Sequence, residues 1–225
     1  MTIYALVSEI SPVRLWGLDS AQRLKRQLKE ISKDLPADLA DIRWLKNADE
    51  FPRSGRVLLL NGAFLFENRT LRGVLDRPDS ILRHADGTFA AAFVDAGDFN
   101  DALAHLQDSQ QKPGGRLQII STQDMEAFDE NLRRSAKPLL EPVNIERKAQ
   151  LESRLYGNAY RGITDLVTKF LWPRPAKRVV HLCAHLHISP NMVTSLGLLL
   201  VLAACYLFLK GHYGWGLLAG WIMTF

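Results

Sequence analysis

The sequence has few cysteines, no leader-like N-terminus and no acidic residue near its end. Cys183 and Cys205 are the two cysteines, and both lie in apolar surroundings, so a disulfide framework is not expected. The N-terminus contains Glu9 and Arg14 and no continuous apolar run, which argues against a signal peptide. No Asp or Glu follows Asp165, so the last part of the chain offers no carboxylate to a metal ion.

Basic residues are unevenly distributed along the chain. Residues 1–150 hold 21 Lys and Arg against 22 Asp and Glu, whereas residues 151–189 hold 6 against 2. The basic excess includes Arg174, Lys177 and Arg178 and lies beside the most apolar stretch, which favours anionic membrane lipids or phosphate groups as partners. Basic and aromatic residues do not alternate as they do in a nucleic-acid groove, so nucleic acid is not an expected partner.

The longest apolar run, Met192 to Leu209, has the length of a membrane span. It contains eighteen residues without a charge. Ser189-Pro190-Asn191 supplies a helix start, with Ser or Asn as the cap and Pro in the first turn. A second run, Gly214 to Phe225, covers roughly half of a membrane at about 1.5 Å per residue. Because a helix that stops inside lipid leaves carbonyl groups unpaired, we expect a longer protein truncated at Phe225.

The placement of charges predicts an orientation in the membrane. Arg174, Lys177 and Arg178 precede the first run, whereas the loop after it holds only Lys210 and His212. We expect an integral protein of an inner or plasma membrane, and by the positive-inside rule we expect its N-terminal region in the cytoplasm. The alternative is a hydrophobic helical hairpin in the core of a soluble protein. Core helices seldom stay apolar around their whole circumference, which favours the membrane.

Residues 1–136 alternate between strand and helix patterns and predict an α/β domain with a largely parallel sheet. Val57 to Leu60 is the clearest buried strand, and Ile3 to Val7 fits a first strand. Asp19 is a plausible cap for a helix that runs to Lys33. A turn at Asp86-Gly87 between two apolar runs predicts a hairpin.

The segment after residue 136 predicts a linker and then surface helices. Prolines favour a linker over residues 137–150, and apolar residues then recur at steps of three or four. We interpret residues 151–187 as amphipathic helices on the membrane surface and 188–225 as the first transmembrane hairpin. A helix packed on the soluble domain is the alternative, because an apolar stripe can pack on a protein surface as well as on a membrane. The residues of the stripe are Leu151, Leu155, Ala159, Ile163, Leu166 and Phe170.

The second half resembles the CDP-alcohol phosphatidyltransferase family. Ile188-Ser189-Pro190-Asn191-Met192-Val193-Thr194 is similar to the I-T-P-N-x-x-T opening of the first span in that family. The order of a surface helix, a span, a tight loop and a second span also agrees, over roughly residues 150–225. The family signature D-G-x-x-A-R-x8-G-x3-D-x3-D is absent. Ala219 to Phe225 looks like the residues just ahead of it, which implies truncation before the catalytic carboxylates.

The resemblance implies a membrane enzyme of phospholipid synthesis. It would transfer a phosphatidyl or substituted phosphate group from a CDP-linked donor to an alcohol and release CMP. In the family, signature carboxylates hold Mg²⁺ or Mn²⁺, so the metal is implied for the full-length protein, and this inactive fragment has no expected catalytic residue or metal ligand. Asn191 and Thr194 would line the nucleotide pocket; a role in capping and starting the helix explains them equally well. A homodimer is a further open expectation.

The first half resembles, more weakly, the nucleotidyltransferase domain that acts on sugar nucleotides and inositol phosphates. Val57 to Phe66 looks like its strand and following loop, but Ala63 stands where active members have an Asp for metal. The stretch Glu9 to Arg14 after the first strand has no glycine, so its backbone N–H groups cannot easily approach a phosphate. We therefore expect a Rossmann-like, non-catalytic domain. A membrane-anchored nucleotide- or partner-binding module without transferase activity is the alternative function.

Overall fold

The computed structural model describes residues 2–36, 41–51, 54–108, 117–125, 128–129, 134–135, 138–159, 173–186 and 188–224. The chain divides into two compact units, Met1–Thr164 and Asp165–Phe225. The first unit mixes helices and strands, and the second unit is helical over its described residues. A mixed α/β domain followed by helices agrees with the predicted fold class at this level.

Strands and helices alternate along most of the first unit. Its strands are β1 (Ile3–Ile10), β2 (Ile42–Trp44), β3 (Arg56–Gly62), β4 (Phe64–Phe66), β5 (Ser80–Arg83), β6 (Phe89–Asp95), β7 (Gln118–Ile120), β8 (Phe128–Asp129), β9 (Arg134–Ser135) and β10 (Leu140–Pro142). Its helices are α1 (Ser20–Ile31), α2 (Asn68–Leu75), α3 (Phe99–Gln107) and α4 (Lys148–Ala159), with short 3-10 helices at Ala48–Glu50 and Ala96–Asp98.

The main sheet has six strands in the order β2-β1-β3-β6-β5-β7. Strand β1 is parallel to β2 and β3, and β5 is parallel to β7, but β6 is antiparallel to both of its neighbours. The sheet is therefore mixed, and the prediction of a largely parallel sheet was wrong for β6. Only His84 to Thr88 separate β5 from β6. This connection is too short for a parallel crossover, which needs a dozen residues or more, and it forms the hairpin predicted at Asp86-Gly87.

Both faces of the sheet are covered by helices. Leu58 and Leu60 of β3 point into one cluster with α1 and α2, and Val57 and Leu59 point into another with α3. All four side chains are fully buried, which explains why β3 is a continuous apolar run rather than an alternating one. Helix α1 begins as predicted, because the Asp19 carboxylate accepts a hydrogen bond from the Gln22 N–H at 2.7 Å.

The first unit continues past residue 136, which was its predicted boundary. Strand β10 lies inside the predicted linker of residues 137–150 and pairs antiparallel with β4. Its Pro142 is tolerated because it is the last residue of a two-stranded ladder, where little pairing is lost. Leu151 of α4 is fully buried against Val13, Leu15 and Leu65. For α4, then, the alternative of a helix packed on the α/β domain is correct; residues 160–172 of the predicted surface helix lie outside the described residues.

The second unit contains α5 (Pro173–His185), α6 (Pro190–Leu209) and α7 (Tyr213–Thr224). Helices α6 and α7 contact each other, and Ala204 and Ala219 are fully buried. Most apolar side chains of α6 are exposed. Within the described residues, α6 is the single helix long and apolar enough to cross a membrane. The predicted hairpin of two spans is thus supported for its first helix only, since α7 has 12 residues.

Candidate functional site

The start of α6 carries the two residues predicted to bind substrate. Ser189 is the N-cap, and its Oγ accepts a hydrogen bond from the Met192 N–H at 3.3 Å, with Pro190 in the first turn. Ser189 therefore supplies the cap, and the capping role considered for Asn191 is not needed. The Thr194 hydroxyl donates to the Pro190 carbonyl oxygen at 3.1 Å. Its lone pairs remain able to accept a hydrogen bond.

Asn191 and Thr194 share one face at the N-terminal end of α6. They are three residues apart, which places neighbouring side chains on the same side of a helix. Both residues are exposed. Together they offer amide donors, an amide acceptor and a hydroxyl acceptor, beside the positive end of the helix dipole. This set can bind a polar ligand that carries negative charge.

Helix α5 places the predicted interfacial basic residues on a surface helix. Arg174 and Arg178 are exposed and lie one turn apart, and Lys177 is half-buried. The helix also exposes apolar side chains, among them Val179 and Leu182. A helix that presents cationic and apolar groups together has the chemistry of an interfacial helix on anionic lipid.

Among the residues that the structure describes, no cluster of carboxylates lies at the edge of the sheet around Ala63. The buried Asn61 side chain accepts a hydrogen bond from the Ala63 N–H at 2.8 Å, and Ala63 packs against the core. At Gly62, an added Cβ would lie 2.0 Å from the Glu9 carbonyl oxygen, so β1 and β3 approach closely here. Within the described residues, no three His, Cys, Asp or Glu side chains are grouped to hold a metal ion.

The loop after β1 uses its backbone donors within the protein. The N–H groups of Leu15 and Leu18 each pair with the other's carbonyl oxygen around a tight turn. Trp16, at the turn, has a φ of 50° and donates its N–H to a Glu152 carboxylate oxygen at 3.1 Å. The Val13 N–H donates to the Ser11 hydroxyl oxygen. These four donors are therefore already engaged, which gives a physical reason, besides the scarcity of glycine, why the loop is poorly suited to hold a phosphate.

Arg23 is a buried cation that sequence reasoning missed. It lies in the first turn of α1 and is 8% exposed. Its three guanidinium nitrogens have no hydrogen-bond partner among the described residues. Burial lowers the pKa of Arg23 from its ordinary value, and the nearby Asp19 carboxylate partly opposes this shift. A charge buried without a partner destabilises a fold, so the burial of Arg23 lowers the free energy of unfolding.

A polar cavity of about 380 Å³ lies beside the β5–β6 turn. Its walls come from the turn and from the segment after β7. These are the carboxyl ends of two neighbouring parallel strands, where α/β sheets commonly bind ligands. The lining residues are Arg83, His84, Ala85, Asp86, Gly87, Ile119, Ile120, Ser121, Thr122, Gln123 and Asp124.

Two carboxylates in this cavity have lowered pKa values. Burial alone would raise the pKa of Asp86, but hydrogen bonds from the Thr88 hydroxyl and N–H and from His84 outweigh burial and lower it to about 2. Hydrogen bonds from the hydroxyl and N–H of Ser121 lower the pKa of Asp124. Both groups are thus held as carboxylates at neutral pH.

Sequence reasoning identified part of this cavity only as a turn. Asp86-Gly87 was recognisable as a hairpin signal, but residues 119–124 lie more than thirty positions later. Pairing of β5 with β7 brings the two segments together, and no local sequence pattern predicts that pairing.

Comparison with known proteins finds no matching family model and no matching curated protein.

Proposed function

We propose that this chain is part of a membrane enzyme that transfers a phosphatidyl or other substituted phosphate group from a CDP-linked donor to an alcohol, releasing CMP. The observation that carries the proposal is the start of α6. A helix of membrane length and composition begins at a Ser189-Pro190 cap and presents Asn191 and Thr194 on one exposed face. The I-S-P-N-M-V-T sequence at this point resembles the family opening.

In this proposal, the residues at the start of α6 bind the nucleotide part of the donor. Asn191 donates and accepts hydrogen bonds, Thr194 accepts one, and the positive end of the helix dipole favours the diphosphate. The basic side chains of α5 hold their helix against anionic headgroups. The binding face is then at the depth where a lipid donor presents its headgroup. The α/β unit lies in the cytoplasm.

A divalent metal would neutralise charge on the donor phosphates when it is bound. Residues 166–225 contain no Asp or Glu, so they supply no carboxylate ligand. We place the ligands in a D-G-x-x-A-R signature beyond Phe225. The 225 residues alone are accordingly proposed to be inactive.

The experiment is a CMP-release assay on the chain extended through this signature, with Mg²⁺ or Mn²⁺. Donor and acceptor concentrations are varied separately. Asn191→Ala should raise the KM for the donor about tenfold, the loss of one good hydrogen bond, and leave the KM for the acceptor nearly unchanged. Leu196→Ala truncates an exposed side chain on the opposite side of the helix and is the matched control.

Two outcomes would contradict this role. If Asn191→Ala lowers only expression or thermal stability, the residue serves the helix start and not the donor. Activity from the 225 residues alone would overturn the assignment of the metal ligands to a later segment.

The α/β unit is proposed to be a non-catalytic nucleotidyltransferase-like domain. Ala63 stands at the position of the metal-binding Asp, and four donors of the loop after β1 are engaged within the protein. Incubation with CTP and a sugar or polyol phosphate should release no pyrophosphate above a blank. Release of pyrophosphate in proportion to protein concentration would contradict the proposal.

A second candidate function is a membrane-anchored binding module without transferase activity. The polar cavity of the α/β unit favours it, because a binding module needs a site of its own. An extended chain that carries the signature, folds and releases no CMP from any CDP-linked donor would support this candidate.

A further inference from the structure

His84 is held in one orientation in the polar cavity. Its Nδ1 lies 2.9 Å from a carboxylate oxygen of Asp86, and the Asp86 N–H lies farther from the same nitrogen, at 3.4 Å. The shorter contact to a charged acceptor decides the tautomer: Nδ1 carries the proton and Nε2 is left free. The ring also packs against Phe64, with centroids 5.4 Å apart.

The two carboxylates of the cavity are already used by their own loops. Asp86 accepts from the N–H and hydroxyl of Thr88 as well as from His84. Asp124 accepts from the N–H and hydroxyl of Ser121. They brace the walls of the cavity through one oxygen each, Oδ1 of Asp86 and Oδ2 of Asp124, and the second oxygen of each carboxylate adds an acceptor to the groups that can contact a ligand.

The groups left for a ligand are mixed donors and acceptors. Arg83 uses Nε to donate to the Gly87 carbonyl oxygen, and its terminal nitrogens have no hydrogen bond within the described residues. The Thr122 hydroxyl, the side-chain amide of Gln123 and Nε2 of His84 likewise have no hydrogen-bond partner among the described residues, whereas the backbone N–H of Gln123 donates to the Ser121 hydroxyl oxygen. Ile119, which is 47% exposed, adds an apolar patch to the wall.

The lining carries charges of both signs, so it favours neither an anion nor a cation. Asp86 and Asp124 stay ionised at neutral pH and repel an anion, whereas Arg83 repels a cation. A hydroxyl group both donates and accepts, so several hydroxyls on one small molecule match the free groups together. The C–H faces of such a molecule can pack against the apolar side chain of Ile119.

We propose that this cavity binds a small uncharged polyol or sugar, with His84 Nε2 accepting a hydrogen bond from one hydroxyl and Arg83 and Thr122 contacting others. Its volume lies in the range of small-molecule sites. The proposal goes beyond the transferase function and does not depend on it.

The test uses the full chain in a detergent without a sugar headgroup and in a buffer free of glycerol. Binding of glucose, sorbitol and myo-inositol is measured by ligand-detected NMR, and the ¹⁵N shift of the His84 ring is followed in parallel. Gluconate and glucosamine are the anionic and cationic counterparts of glucose. At least one neutral probe should bind saturably and move the His84 Nε2 resonance, and the charged pair should bind about tenfold more weakly or worse.

Variants connect this binding to the named residues. His84→Ala and Thr122→Val should each weaken the bound probe about tenfold, since each removes one hydrogen-bonding group. His212→Ala, in the loop between α6 and α7, is the matched control and should bind as the wild type does. If His84→Ala fails to fold, Thr122→Val decides alone. No saturable binding of any neutral probe, tighter binding of gluconate than of glucose, or binding unaffected by a folded variant would each overturn the proposal.

Discussion

Glu152 of α4 and Trp16 of the loop after β1 are joined by two hydrogen bonds. The Trp16 N–H donates to a Glu152 carboxylate oxygen at 3.1 Å, and the Trp16 indole donates to the Glu152 carbonyl oxygen at 3.2 Å. The ring of Tyr156, one turn along α4, lies 6.0 Å from the Trp16 ring. These contacts hold α4 on the α/β unit, 136 residues from its partner in sequence.

The first prediction concerns this contact. Glu152→Ala leaves the Trp16 N–H without that acceptor in a part-buried site, so the free energy of unfolding of the full chain should fall by about 1–3 kcal/mol. Glu152→Gln keeps a side-chain carbonyl acceptor and should recover much of the loss. Urea unfolding followed by tryptophan fluorescence measures both. Glu146→Ala, at an exposed position near the start of α4, is the control, and an equal loss there would contradict the prediction.

A second prediction tests whether α4 belongs to the core. Leu151 is fully buried, so Leu151→Ala should cost about 2–5 kcal/mol of unfolding free energy through lost burial and a cavity. Ile145→Ala changes a side chain that is 78% exposed and should be nearly neutral. If the two variants unfold at the same urea concentration, α4 is not packed as described.

The third prediction concerns the close approach of β1 and β3. In Gly62→Ala, the new Cβ would lie 2.0 Å from the Glu9 carbonyl oxygen, a backbone atom that cannot move without shifting β1. We expect a loss of about 3 kcal/mol or more, or failure to fold. Gly97→Ala is the control, because its Cβ would meet nothing within 4 Å. A Gly62→Ala chain as stable as the control would contradict the described register.

Features fixed by short-range chemistry could be predicted from the sequence. The caps at Asp19 and Ser189 and the hairpin at Asp86-Gly87 each depend on a few neighbouring residues, and the structure has all three. The partner of a helix stripe is not fixed in this way. Leu151 and Leu155 fit a membrane surface and a protein surface equally well, and only the fold chooses between them.

The same reason explains why the candidate cavity was missed. His84 and Thr122 reach one cavity because β5 and β7 are neighbours, although their strands are separated by β6 and α3 in sequence. The hairpin signal predicted that β6 is antiparallel to β5, but the antiparallel pairing of β6 with β3 was missed, because a continuous apolar run such as Phe89 to Val94 indicates burial on both faces and not which strand lies beside it. Sequence spacing identifies elements; their pairing comes from the whole chain.

A fourth prediction follows from the lowered pKa of Asp86. The pKa is about 2 in the folded chain and 3.8 ordinarily, so the ionised group contributes stability that is fully present above pH 3.8 and lost as the pH falls toward 2. Asp86→Asn should therefore be less stable than the wild type at neutral pH, and the difference should shrink across this window. The Asp86 side chain is 48% exposed, so we expect the difference in unfolding free energy at neutral pH to be only about 0.5–1 kcal/mol.

Urea unfolding at several pH values measures this difference. Asp101→Asn, at an exposed position of α3, is the control for removing a carboxylate. A gap between wild type and Asp86→Asn that stays constant down to about pH 2 would show that the hydrogen bonds do not favour the ionised form.

The last prediction tests whether α6 crosses a membrane. Leu202 lies near the middle of α6 and is 56% exposed, so in a spanning helix its side chain would face lipid or another helix. Leu202→Arg should cost about 2.5–3.5 kcal/mol of insertion free energy and move the chain from the carbonate-washed membrane fraction to the soluble fraction or to aggregates. Ile145→Arg adds the same charge to the α/β unit and should leave membrane association unchanged. If Leu202→Arg stays in the membrane fraction at the wild-type level, the arginine has not been buried in lipid. That result would mean that α6 does not span the membrane.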